Sequence, residues 1–347
     1  MTVLIDYTKG FFETTEGDGV GTNPATIGDP NFANVTLLLH GDGTSGSTTI
    51  TDSSSSPKTI TVNGNAQIDT AVKKFGTGSI EFDGTGDYIQ LPYSDLINNF
   101  SDENFTIECW VYPTRSGQGF GDYIFGDVDS SGNNTTGTIQ ALFDSSNQFK
   151  TYVILNNTLN TITGTAKSLN SWYHYAIVRN GTDISMYING TKEGTSLTTS
   201  TAVDTTTIGM AVGGPGDYAG LYLQGYIDEF RITKGVARYT SNFTAPTAAF
   251  SDQGPTISAT TGNVFNHAPS ADVAYTFSNP PTTGSAYDFT LKVAPTATVA
   301  ITWPSSVKWA GGTAPSAPAS GQKDVYNFFT LDGGTTYYGF QAGDAMA

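Results

Sequence analysis

The sequence predicts an all-β protein, and three observations carry that prediction. Charged residues make up only 13% of the 347, while 40 Gly stand beside 18 Tyr and 20 Phe, so the chain is rich in turns yet supplied with large apolar side chains. Apolar residues recur with a period of two instead of the 3.6 of a helix. Asn-Gly pairs stand between alternating runs, where a chain reversal needs residues that tolerate positive φ.

The clearest element is residues 171–194. Trp172, His174, Ala176 and Val178 alternate with Tyr173, Tyr175, Ile177 and Arg179, and after Asn180-Gly181 the return strand alternates Ile184, Met186 and Ile188 with Ser185, Tyr187 and Asn189. A second turn, Asn189-Gly190, closes the unit. His174 lies among core-facing residues, which predicts a hydrogen-bonded core histidine.

In chain order, residues 1–33 hold little periodicity and form an arm or linker. Residues 34–40 open the folded part as a nearly continuous apolar strand, and residues 58–63 follow as a short one. In residues 105–112 the period places Phe105, Ile107 and Cys109 on one face, so the single cysteine reads as a buried structural thiol. Residues 139–143 and 149–155 read as a hairpin. Residues 251–255 read as a linker, and from Thr256 onward short strands punctuated by Pro indicate a second, smaller β-domain. The domain reading is therefore arm 1–33, sandwich 34–250 and small β-domain 251–347.

Four blocks carry a family resemblance. W-x-H-x-A-x-V-R-x-G followed by Y-I-N-G in residues 172–190, S-I-E-F-D-G-T-G-D-Y-I-Q-L at 79–91, F-T-I-E-C-W-V-Y at 105–112, and G-Y-I-D-E-F-R-I-T at 225–233 with Arg238-Tyr239 together resemble the laminin-G/concanavalin A-like jelly rolls. The resemblance implies a jelly-roll β-sandwich over residues 34–250. It also implies calcium at a rim of the sandwich through acidic loop side chains, with Asp87, Asp127 and Asp129 as the matching candidates. The run D-V-D-S-S-G at 127–132 starts like a calcium loop but puts Thr138 where an EF-hand needs Glu. In the second domain, residues 301–315 and 326–340 resemble terminal domains of tailed-phage fibre and other virion proteins.

Composition narrows the function. The net charge of −16 argues against nucleic acid and anionic membranes, because phosphate contacts need clustered Lys and Arg. No apolar run reaches the ~20 residues that span a bilayer, and no basic, then apolar, leader is visible at the start. No cofactor is expected beyond the calcium that the resemblance allows. A retaining glycosidase on this fold needs two carboxylates about 5–5.5 Å apart in one cleft. The nearest match, Asp228-Glu229, places adjacent acids on opposite faces of a strand, so no enzyme is expected. Sugar recognition uses aromatic faces flanked by Asp or Asn. Tyr88, Tyr123, Tyr218 and Tyr222, near Asp122 and Asp217, each lie beside a polar loop and are the candidate glycan-binding residues.

The expectation is therefore a non-enzymatic structural protein on the surface of a phage virion, made in the host cytoplasm without a signal peptide. Its partners would be other virion proteins, further copies of itself as a trimer and a host-surface polysaccharide. The alternative is a free glycan-binding adhesin.

Overall fold

In the computed structural model, the residues described are 28–92, 99–127, 138–204, 209–216, 220–252, 254–260, 262–269, 273–296 and 298–346. The chain divides into two compact units, one of Asn31–Asp252 and one that holds Gln253–Ala347.

The first unit is a sandwich of two antiparallel sheets. Its strands are β1 (Val35–Leu39), β2 (Thr61–Asn63), β3 (Gln67–Asp69), β4 (Ser79–Asp83), β5 (Tyr88–Gln90), β6 (Phe105–Pro113), β7 (Asp122–Gly126), β8 (Ile139–Phe143), β9 (Gln148–Leu155), β10 (Thr158–Ala166), β11 (Tyr173–Asn180), β12 (Asp183–Ile188), β13 (Thr191–Thr198), β14 (Ala211–Val212) and β15 (Gln224–Lys234). One sheet runs β13-β12-β11-β6-β15-β4-β3, with β1 added beside β15. The other runs β10-β9-β8-β7-β14-β5-β2. Alternation decides what lies between them. Phe105, Ile107 and Cys109 of β6, Tyr175 and Ile177 of β11, and Ile184, Met186 and Ile188 of β12 all enter the shared core with Phe125, Phe143 and Phe149 from the facing sheet. Cys109 is fully buried, and burial pushes its thiol well above the ordinary range. At Asn189-Gly190 both residues adopt positive φ, 50° and 78°, the signature of a tight turn that matches strand twist.

The partners of His174 lie elsewhere than expected. His174, Ala176 and Val178 point away from the sandwich core, yet His174 is fully buried because the chain after β15 returns across this outer face. Ala237, Tyr239 and Phe243 cover Ala176, Val178 and Tyr187, while Phe250 covers Val35 and Leu38. Tyr239 and Phe243 stack 3.5 Å apart at 5°, and the Phe243 amide donates to the Gly190 carbonyl at 2.9 Å. Residues 235–252 thus form a strap over the sheet.

β15 changes partner along its length, from β4 at Gln224–Ile227 to β1 at Phe230–Thr233. At the junction the pairing with β6 slips, so that Glu229 and Phe230 together face Cys109, and Glu229 takes φ +53. Ile227 and Phe230 both enter the core, which leaves Asp228 and Glu229 on the same outer side. This corrects the expectation that simple alternation separates the two acids.

The second unit carries β16 (Thr256–Ser258), β17 (Val264–His267), β18 (Val273–Ala274), β19 (Thr276–Ser278), β20 (Tyr287–Val293), β21 (Ile301–Thr302), β22 (Val307–Trp309), β23 (Lys323–Thr330) and β24 (Tyr337–Met346). β17-β20-β23-β24-β22 form a five-stranded sheet, and β16 with β19 and β18 with β21 make two parallel pairs. Ile257, Val273 and Tyr275 share a core with Phe289, Leu291, Tyr326, Phe328 and Tyr337 of the larger sheet.

Candidate functional site

The loops between strands of the two sheets build a rim from residues distant in sequence. Tyr88 opens β5, and Tyr222 precedes β15. Their rings lie 6.0 Å apart at 16°, an offset parallel pair, and each is partly exposed. Gly214 lies directly beneath, since a Cβ there would stand 3.0 Å from both Tyr88 Cβ and Tyr222 Cδ1. Arg115 anchors the backbone at Tyr222. Its Nε donates to Asp122 Oδ2 at 2.8 Å and its Nη2 donates to the Tyr222 carbonyl at 2.9 Å. Asp122 Oδ1 accepts the Gln118 amide at 3.0 Å, which holds the loop that carries Phe120, 73% exposed. The rim therefore presents two parallel phenol rings beside a guanidinium that remains partly open to water.

Of the predicted glycan-binding residues, Tyr88, Tyr222 and Asp122 are brought together here, the carboxylate acting through Arg115. Asp122 itself is 1% exposed. Tyr123 offers no ring face: it is 1% exposed and packs among Leu142, Tyr152 and Ile154, and its hydroxyl donates to Gln140 Oε1 at 3.3 Å. The apolar outer surface of this sheet absorbs the ring, and the period-two pattern alone does not show that a second cluster lies there. Tyr218 and Asp217 lie outside the described residues.

Two of the acidic residues assigned to calcium by resemblance, Asp87 and Asp127, accept hydrogen bonds from the protein. Asp87 accepts the Asn65 amide at 2.7 Å and the Asp83 amide at 2.9 Å, and burial raises its pKa. Asp127 accepts both the amide and the hydroxyl of Thr138, at 2.9 and 2.7 Å. Burial pushes its carboxyl up to about 7 despite those bonds. Asp129 lies outside the described residues. Among the described residues, no three His, Cys, Asp or Glu side chains gather as metal ligands would.

Two polar clusters under the strap escaped the sequence reading. Glu108 is fully buried, and its Oε1 accepts from Arg231 Nη2 at 2.7 Å and Nε at 3.0 Å. Its Oε2 accepts from the Tyr239 hydroxyl at 2.7 Å and lies 3.1 Å from His174 Nε2, which must carry the proton because a carboxylate only accepts. Burial by itself would raise the Glu108 pKa, but Arg231, His174 and Arg238 hold it far below the usual carboxylate range. Arg231 also lies flat against Phe250, 3.6 Å from the ring centre. The second cluster surrounds the bulge. Glu229 meets His40 Nδ1 at 2.9 Å and accepts the Phe250 amide at 2.8 Å, while Asp228 accepts the Lys74 and Phe75 amides at 2.8 and 3.0 Å. Burial pushes Asp228 up to about 7, with the charges of Glu229 and Asp42 acting in the same direction. Burial lowers the His40 pKa, and the bond to Glu229 with the charges of Asp252 and Asp42 more than offsets it. A cleft of about 280 Å³ lined by His40, Asp42, Thr51, Ser53 and Asp252 opens beside this pair. Part of the signal for the first cluster was present in the sequence: Glu108 is a lone charge inside the apolar strand run of residues 105–112.

Residues 83–238, within the central unit, match the sequence profile of the concanavalin A-like lectin/glucanases superfamily. No curated protein matches the chain. Among solved structures, it is similar to the binding domain of Paraclostridial Mosquitocidal Protein 1, at 18% identity and TM-score 0.45 over 58% of this chain and 49% of that one. It is also similar to the binding domain of botulinum neurotoxin serotype G, at 17% identity and TM-score 0.44 over 57% and 47%. A third is domain 4 of AbnA, a GH43 extracellular arabinanase from Geobacillus stearothermophilus in complex with arabinotriose, at 20% identity and TM-score 0.42 over 59% and 94%. The chain spans about half the length of the two toxin domains.

Proposed function

We propose that this chain recognises a glycan at the loop rim of its central unit, without catalysing a reaction, and that it is displayed on the surface of a tailed-phage particle as a head decoration or fibre. The observation that carries the recognition is the Tyr88–Tyr222 pair, two parallel rings packed over Gly214, with Arg115 anchoring the Tyr222 backbone. One face of a pyranose is lined with C–H groups that pack on the electron-rich face of an aromatic ring, and the guanidinium supplies fixed donors for hydroxyl or carboxylate oxygens. Rings already held in place lose little freedom on binding.

The non-enzymatic reading is supported by the state of the two adjacent acids. Asp228 and Glu229 are 0% and 1% exposed and bonded to backbone amides, unlike a pair facing substrate across an open cleft. The virion reading rests on the sequence resemblance at residues 301–315 and 326–340. A symmetric trimer is part of it.

A broad glycan array, read with and without calcium, tests recognition. Binding is expected in both conditions, with Tyr222→Ala losing about tenfold, equivalent to about 1.4 kcal/mol. A silent array sinks the glycan reading, and hydrolysis of laminarin-like or capsular glycan above a buffer blank sinks the non-enzymatic one. Gold-labelled antibody on particles tests placement: label on head or tail supports it, and bare particles leave a free adhesin.

A further inference from the structure

The open face of the five-stranded sheet in the second unit carries an arrangement that the rim does not explain. In β24, Tyr337 is buried while Tyr338 and Phe340 are 44% and 47% exposed. Phe329 of β23 pairs with Tyr338, and Asn327 pairs with Phe340, so all four share one face. Phe329 lies 5.1 Å from Tyr338 at 26° and 6.0 Å from Phe340 at 7°. Parallel rings at these separations must be offset, like overlapping tiles, so that part of each face stays open. Polar groups continue the same face outward. Thr290 donates to Asn327 Oδ1 at 3.1 Å, which sets the amide beside Phe340, and Lys308 pairs with Tyr338 at the other edge.

We infer that this face is a second glycan-contacting surface, independent of the rim, and that its ligand is an extended, uncharged polysaccharide lying along β23 and β24. Three aligned rings suit successive sugar units of one strand better than a single terminal sugar. The charged residues on the face are Asp288 against Lys292, Lys308 and Lys323, a modest positive excess spread over three strands that gives no single site for a strongly charged partner. The apolar area is also too small for a stable interface with a second copy. A fully buried aromatic covers roughly 200 Å², so the half-exposed Tyr338 and Phe340, the less exposed Phe329 and the exposed Val264 beside Thr290 together offer roughly 300–400 Å², against roughly 800 Å² per partner in a standard interface.

Affinity electrophoresis of the full-length chain through gels holding soluble neutral polysaccharides (a β-glucan, a galactan and a mannan in turn) tests the inference. At least one gel is expected to retard the chain. The Tyr338→Ala/Phe340→Ala double variant should lose at least tenfold of that retardation, and Phe340→Trp, which keeps a ring, should retain it. Tyr88→Ala at the rim should leave retardation on that gel intact, so this surface and the rim can fail separately. Light scattering should give the same mass for wild type and double variant. Three results would each overturn the inference: no retardation in any gel, retardation indifferent to Tyr338 and Phe340, or a double variant that loses an oligomer.

Discussion

Glu108 shows how much one residue can carry in this chain. It accepts from Arg231 and Tyr239 and meets His174 in a site closed to water, so removing its charge leaves a buried guanidinium without its counter-ion. Glu108→Gln is expected to cost about 3–5 kcal/mol in urea unfolding. Because its folded pKa is depressed, the stability it contributes is complete above the ordinary carboxylate range and is lost only as pH falls toward the folded value. Asp228 behaves in the opposite sense. Its folded pKa is raised to about 7, so the folded chain holds this proton more tightly than the unfolded chain, and stability falls as pH rises from the ordinary carboxylate range through about 7. Asp228→Asn keeps an acceptor for the Lys74 and Phe75 amides without the charge. The variant should lie nearest wild type at about pH 4 and exceed it in thermal midpoint by a margin that widens as pH rises to about 8. All three histidines prove to be hydrogen-bonded partners in separate places, His40 with Glu229, His174 with Glu108 and His267 with Tyr275. For His174 the residue type and its strand foretold that role. Its partner could not be foretold, because Glu108 is brought opposite by pairing between distant strands.

At the scale of elements, the hairpin β11–β12 was legible because alternation and Asn-Gly turns are local properties. The bulge in β15 was not. It arises where β4 ends and β1 begins along the same strand edge, and neither neighbour is close to it in sequence. The strap was equally hidden: a stretch with the look of a departing loop buries Tyr239, Phe243 and Phe250 against an outer sheet face. Gly190 shows the fit of strap to hairpin, since its φ is +78° and a Cβ would come within 2.0 Å of the Phe243 carbonyl. Gly190→Ala is therefore expected to raise the strap. Faster hydrogen exchange at the Phe243 amide and earlier proteolysis within residues 235–252 would register it, with a stability loss of about 1–3 kcal/mol. Unchanged exchange at that amide would show that the strap is held mainly by Phe250 and Arg231.

At the scale of the molecule, the described residues offer two separate aromatic surfaces, one on each unit, and no cluster of metal ligands. Addition of EDTA is expected to leave the thermal midpoint unchanged, because the oxygens of Asp87 and Asp127 already accept protein donors. A midpoint that drops with EDTA and returns with calcium would place a cation elsewhere. The sequence by itself determined the all-β class and several of the strands, the β11–β12 hairpin among them, since side-chain alternation follows from the covalent geometry of an extended chain. It also marked Tyr88 and Tyr222 as loop-edge aromatics. Only the tertiary structure decided that these two stack while Tyr123 is covered, that Asp228 and Glu229 share a side, and that Tyr338 and Phe340 stay open while Tyr337 does not. Exposure depends on what packs against a face, and in this protein the covering segments come from far along the chain.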